Sequence, residues 1–393
     1  MSGDQSIFAG YAGSMLIVSS IGWSMIQISR RTLPALLPSI SEELAITPTA
    51  AGLLLTVLSA TYAVMQYPSG RFSDRFSRKG PLIVGLILSL LGCLLLWSAN
   101  GYEVLFGGVL ILGLGAGIYP TSARALVADL FDVRRGEAFG IHTALGDIGS
   151  AVAAGVALAA LSLAVWRSAF VPTAIGLGAI AVVIHVTSRE TYQIGSFALG
   201  FQETFETLLD NSSIRWVLVA YALYVVAIEG VIGFLPALIQ LEKGMTPTMA
   251  SFGYAMFFIS GIIARPFAGR LSDRFSRGPI AGVAMMVAAG GLLLTVYAAS
   301  PLTLTLSVVI LAFGTKSFPP VMQAHLMDLF SEKSAGADLG ATRTMYIGVG
   351  SLGPTYVGVL STHFDYATAF LGLVACLILS AIIILWFIFE DSE

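Results

Sequence analysis

Apolar residues run along this chain in long blocks, separated by short polar stretches. Twelve blocks stand out, at residues 11–40, 49–69, 80–99, 103–127, 137–163, 167–187, 214–240, 249–268, 279–299, 302–327, 338–361 and 367–389. A helical bilayer crossing takes roughly 20 mostly apolar residues, so each block is long enough to span. The blocks are rich in Gly, Ala, Leu, Ile and Val, which suits helices packing closely in lipid. They lack the strict alternation of a membrane barrel. The pattern predicts an all-α integral membrane protein with twelve spans. Connections are short except at 188–213, after the sixth span. There Phe197, Phe201, Phe205 and Leu208 fall on one helical face. That spacing predicts an amphipathic helix on the membrane surface, with a plain linker as the alternative. The first span has no small-residue cleavage signal, so no removed signal peptide is expected.

Composition strengthens this picture. Of 393 residues, 56% are hydrophobic and 11% charged, against about 25% charged in soluble chains. Mean hydropathy is +0.86. A net charge of -3 offers no basic footprint for nucleic acid. Cys93 and Cys376 both lie in apolar runs and read as packing residues. No nucleotide loop, H-E-x-x-H helix or cysteine cluster is present, so no cofactor, metal or ATP drive is expected.

Charge placement sets orientation. With the N-terminus cytoplasmic, the connections facing inward hold twelve Lys and Arg residues, and the outer ones hold only Arg167 and Lys243. The positive-inside rule then puts both termini in the cytoplasm, with the plasma membrane as the expected location.

The two halves of the chain match. Gly70-Arg71-Phe72-Ser73-Asp74-Arg75-Phe76-Ser77-Arg78 corresponds to Gly269-Arg270-Leu271-Ser272-Asp273-Arg274-Phe275-Ser276-Arg277 at an offset of 199. At the same offset, Thr47-Pro48-Thr49 matches Thr246-Pro247-Thr248, and Asp129-Leu130-Phe131 matches Asp328-Leu329-Phe330. Two parallel-repeat six-helix bundles are expected, 1–187 and 214–393, joined by the linker 188–213.

The duplicated loop resembles the G-x-x-x-D-R-x-x-R-[RK] signature of the major facilitator superfamily, and the likeness extends over the whole chain. The resemblance implies two six-helix bundles around a central cavity, transport by alternating access, and no enzymatic role. The loop residues Gly70, Asp74, Arg75, Arg78, Gly269, Asp273, Arg274 and Arg277 are then expected to gate the cytoplasmic side. The glycines would let helices of opposite bundles cross closely, and the aspartates would accept hydrogen bonds or pair with arginines. Drug antiporters of this superfamily carry a proline in the fifth span. Here that stretch reads Gly146-Asp147-Ile148-Gly149-Ser150-Ala151, and a Gly353-Pro354 pair occurs in the eleventh span instead.

Charges inside spans are costly, about 2.5–3.5 kcal/mol each at mid-membrane, and so turn toward a cavity or a partner. The deep set is Arg30, Arg31, Lys316 and Arg343 against Asp147 and Glu229. Arg30 and Arg31 are adjacent and point about 100° apart, so one can face the cavity and the other a neighbouring helix. Arg30 shares a stripe with Gln27 and is the favoured substrate contact. Arg124 is expected to snorkel or to pair with Asp129, and Arg265 to belong to the gate. Tyr221, Tyr224 and Tyr346 offer an aromatic wall, with core packing as the alternative. Glu229, Asp147 and His142 are candidate proton carriers; the two carboxylates could instead neutralise Lys316 or Arg343.

The positive excess favours an anion. The expected function is secondary active transport of a small organic anion by a monomer in the lipid bilayer, proton-coupled or by exchange. The competing readings are a multidrug–proton antiporter and a transport-inactive receptor or membrane enzyme.

Overall fold

The computed structural model describes residues 6–131, 134–193, 195, 200–272, 274–330 and 335–387. Every regular element among them is helical. The first half holds α1 (Gly10–Glu43), α2 (Pro48–Arg75), α3 (Lys79–Trp97), α4 (Tyr102–Leu130), α5 (Arg135–Ser162) and α6 (Phe170–Thr187). A short helix α7 (Phe201–Asp210) follows in the linker. The second half holds α8 (Ser212–Ala237), α9 (Pro247–Ser272), α10 (Arg277–Tyr297), α11 (Pro301–Leu329), α12 (Ala335–Gly350), α13 (Gly353–His363) and α14 (Tyr366–Phe387). Eleven helices among the described residues are long and apolar enough to cross a membrane. The remaining crossing, expected as one helix over 338–361, is broken into α12 and α13. Gly353 and Pro354 start the second piece, where proline's missing N–H breaks no helical bond.

The duplicated sequence motifs have matching structural jobs. Thr47 starts α2 by accepting a hydrogen bond from the Ala50 amide at 3.2 Å. Thr246 does the same for α9 from the Met249 amide, also at 3.2 Å. In both, proline follows the capping threonine as the first helical residue. Arg78 Nε donates to Asp129 Oδ2 at 2.9 Å, and Arg277 pairs with Asp328 in the corresponding place. The two repeated motifs of each half thus meet as an ion pair at the end of that half.

The halves touch chiefly along two seams, with α1 also resting on α8. α2 packs on α12 and α13, and α5 packs on α9. The seal is tightest near the α2 N-terminus. A Cβ added at Gly52 would come within 2.5 Å of the Pro354 carbonyl, and one at Gly358 within 2.3 Å of the Pro48 carbonyl. Thr49 and Thr362 hydroxyls lie 2.9 Å apart, and Thr56 and Thr355 hydroxyls 2.7 Å apart.

At the opposite end the expectation for the signature glycines does not hold. A Cβ at Gly269 would meet nothing within 4 Å, and one at Gly70 would make only ordinary contact with Thr121 of its own half. Neither glycine supports a close crossing between bundles in this state. The tight crossings are at the other face.

In the linker, α7 forms where an amphipathic helix was expected. Phe205 meets Tyr67 edge-on at 6.3 Å, and Leu208 is buried. Phe197 and the side chain of Phe201 lie outside the described residues.

Candidate functional site

Between the halves lies a cavity of about 480 Å³. It runs from mid-helix toward the face of the signature loops, where Phe139 at the start of α5 and Leu339 at the start of α12 join its wall. α1, α2, α4 and α5 supply one side, and α8, α9, α11 and α12 the other.

Six cations line it: Arg30, Arg31, Arg124, Arg265, Lys316 and Arg343. Two carboxylates, Asp147 and Glu229, join them. Both carboxylates form ion pairs that cross between halves, and Asp147 Oδ2 stays buried without a hydrogen-bond partner. Arg31 on α1 lies 3.5 Å from Glu229 on α8, and Glu229 also accepts from Ser59 Oγ at 2.7 Å. Asp147 on α5 accepts from Arg265 on α9 at 3.2 Å, with the Lys316 ammonium of α11 at 3.9 Å from the same oxygen. Lys316 is further held by the rings of Phe258 at 4.5 Å and Phe257 at 4.8 Å, a cation–π cage that tolerates a buried ammonium. Gly261 makes room for it, since a Cβ there would press on the lysine stem at 3.1 Å.

Arg30, Arg124 and Arg343 pair with no carboxylate among the described residues. Each keeps a buried nitrogen without a hydrogen-bond partner, Nε of Arg30, Nη2 of Arg124 and Nε of Arg343, as do the carboxylate-paired Arg31 and Arg265 at Nε; the missing carboxylate is what sets the three apart. Arg30 is 3% exposed; its guanidinium lies 3.8 Å over the Tyr62 ring and donates weakly to Gln27 Oε1 at 3.4 Å. Gln27 in turn donates to Ser150 at 3.1 Å. Tyr62 sits within electrostatic reach of all three arginines. Unpaired buried donors on charged groups are costly and call for a partner.

The aromatic wall is present. Tyr221 stacks on Tyr346 with ring centroids 3.9 Å apart, and Phe318 meets both Tyr221 and Tyr224. The Tyr224 hydroxyl donates to the Thr315 carbonyl at 2.9 Å, which fixes it as part of the wall. His142 stacks on Trp23, with Nδ1 3.1 Å from Ser20 Oγ.

Several expectations change here. Arg30 and Arg31 both line the cavity, because α1 stands at a corner between α2 and α8 and a 100° step still leaves both facing inward. Arg124 does not pair with Asp129, which is held by Arg78; it joins the cavity instead. Arg265 belongs to the cavity cluster rather than to the gate. Glu229 pairs with Arg31, not with Lys316 or Arg343. Ser59 and Phe257 had no chemical signal of their own; only contacts across helices bring them in. Of the gate residues, Arg78 and Arg277 form ion pairs within their own halves, while Arg75 and Arg274 are exposed. Asp273 and the side chain of Asp74 lie outside the described residues.

Twelve crossings in two matching halves around a charged cavity define a membrane transporter, not an enzyme. The sequence matches the Major Facilitator Superfamily over residues 12–236 and 217–393, and the chain belongs to that family. It is 24% identical to the glycerol-3-phosphate transporter of Bacillus subtilis over 409 residues, covering 96% of this chain and 89% of that protein. It is also 24% identical to a probable sulfoacetate transporter of Cupriavidus necator, covering 85% of this chain and 83% of that one. A solved structure of a bacterial homolog of the human lysosomal transporter Spinster, inward-facing and occupied, matches with a TM-score of 0.80 at 15% identity, over 99% of this chain and 98% of that one. That likeness bears on the fold alone.

Proposed function

We propose that this secondary transporter carries a small organic anion by alternating access. One observation supports this above the others: three buried guanidinium groups, from both halves, face one cavity with no carboxylate among the described residues to answer them. An arginine fork suits a carboxylate, phosphate or sulfonate head. The relatives named for glycerol 3-phosphate and sulfoacetate carry anions of this kind.

Arg30, Arg124 and Arg343 take the charged head, with Gln27 orienting Arg30. Arg31 and Lys316 border the site through their ion pairs. Tyr221, Tyr224 and Tyr346 wall the body of the solute. Glu229, Asp147 and His142 are the groups able to take a proton, so proton drive and anion exchange are both open to this cavity. The bodies 1–187 and 214–393 rock about the linker 188–213. With both termini cytoplasmic in a plasma membrane, the described state has its cavity toward the cytoplasm. Closing that side would bring the signature loops, with Asp74 and Asp273, against the opposite half.

The test is uptake into liposomes under an imposed pH gradient. The panel is inorganic phosphate, sulfate, glycerol 3-phosphate, succinate and benzoate, set against cationic dyes. Saturable uptake of at least one anion is expected. Saturable dye transport with no anion uptake would establish the multidrug reading instead.

A further inference from the structure

We propose that the second half carries a binding groove for an anionic phospholipid, at the place where the first half is covered by the chain's own linker. This goes beyond the transport reading and does not depend on which solute is carried.

The duplicated signature surface is covered differently in the two halves. In the first half the linker lies on it. Glu190 accepts from Ser77 Oγ and from the Arg78 and Lys79 amides at the start of α3, and the Lys79 ammonium lies 4.9 Å over the Tyr192 ring. A Cβ added at Gly195 would fall 2.3 Å from the Phe76 ring, and one at Gly200 would fall 3.7 Å from the Arg71 guanidinium. At the offset of 199, Phe76 corresponds to Phe275, Ser77 to Ser276 and Arg71 to Arg270. Ser77 is buried, whereas Ser276 and Arg270 are exposed and Phe275 is 64% exposed. Among the described residues, no linker segment lies on this second copy.

An apolar groove of about 490 Å³ opens there instead, between α9, α10 and α11. Phe267 and Leu271 on α9, Phe275 just past its end, Val283 and Val287 on α10 and Phe313 on α11 line it. Phe267 and Phe313 meet ring to ring at 5.6 Å. Phe267, Phe275 and Val283 are exposed rather than packed under a neighbouring helix. From Pro279 to Val287 the groove follows α10 for about 12 Å. In a chain that spans a bilayer, an exposed apolar groove of this kind faces acyl chains. Its signature-loop end selects among lipids by charge. Arg270 lies three residues after Phe267 and so shares its face of α9, and Arg274 follows four residues later. Both arginines are exposed, while Arg277 is engaged by Asp328. Two exposed guanidiniums beside the mouth of an apolar slot suit a phosphate head whose acyl chain lies in the slot. The groove is built within one half. A lipid held there moves with that half and leaves the seams between the halves clear.

Vesicles of defined composition test this. Phe275→Trp places a reporter at the groove mouth, aromatic for aromatic at an exposed site, and its fluorescence is read as the difference from the unsubstituted protein. The full-length chain is reconstituted in phosphatidylcholine with rising fractions of brominated phosphatidylglycerol or, separately, of brominated phosphatidylcholine. Bromine on the acyl chain quenches tryptophan by contact. The anionic lipid is expected to quench with an apparent affinity about fivefold or more above that of the zwitterionic one, as expected for an arginine meeting an anionic head. Adding Arg270→Gln and Arg274→Gln together, both at exposed positions, should bring the two lipids level. Adding Val283→Phe instead should fill the groove and weaken quenching by both. Equal quenching by the two lipids before any arginine is removed would mean ordinary bilayer contact only and would overturn the proposal. An undiminished preference for phosphatidylglycerol after both arginines are removed would overturn it as well. Absence of quenching by either lipid would show that another part of the chain covers Phe275, with the same consequence.

Discussion

Lys316 and Arg124 show how differently two buried cations can be placed. Lys316 has a carboxylate and two aromatic rings around it; Arg124 has an orphaned nitrogen and no acid. Both were visible in the sequence as charges inside apolar blocks. Their partners were not, because Asp147 lies on another helix and in the other half from Lys316, and spacing along one helix cannot report that. The pairing yields a prediction. Asp147→Asn leaves Arg265 and Lys316 without their counter-charge, and breaking a buried pair in this way costs about 3–5 kcal/mol. The variant should melt well below the wild type without ligand. A bound panel anion should recover more of that loss than it adds to the wild type, because it can answer the freed cations. Thermal unfolding with and without the anion checks this, and a melting temperature equal to the wild type's would contradict it.

At the scale of helices, hydropathy was informative about existence and poor about interruption. Twelve crossings were legible, since lipid demands long apolar runs and backbone groups satisfied within the segment. The break between α12 and α13 was not, although Gly353-Pro354 marks it, because hydropathy reports how long an apolar block is and not where a helix within it stops. Glycine roles were half legible. The signature glycines drew attention by repetition, yet the close crossings fall at Gly52 and Gly358, which carry no motif. There the chains approach too closely for a side chain on either helix. Gly52→Leu should wedge α2 away from α13 and hold that seam open. Cysteines placed at Thr49 and Thr362, whose hydroxyls are 2.9 Å apart in the sealed state, should then cross-link more slowly than in the unwedged background. Cross-linking at the same rate would show that the seam has another means of closing.

The whole molecule is a duplicated frame with an unduplicated centre. Helix caps, end-of-half ion pairs and signature loops recur at a fixed offset, and that is why the fold could be read from one sequence. The cavity breaks the repeat. At the same offset, Lys316 corresponds to Gly117, Arg124 to Gln323, Arg265 to Gln66 and Asp147 to Tyr346. Duplication explains a frame but is silent on a site built from what the halves do not share. The three unanswered guanidiniums come from both halves, so binding should depend on each half at once. Equilibrium binding of the best panel anion to the full-length protein tests this most directly, comparing the wild type with Arg30→Gln, Arg124→Gln and Arg343→Gln. The account predicts saturable binding that each substitution weakens about tenfold or more, as expected for removing a buried charged partner. Wild-type affinity in all three variants, or saturable binding of a cationic dye with none of any anion, would contradict it.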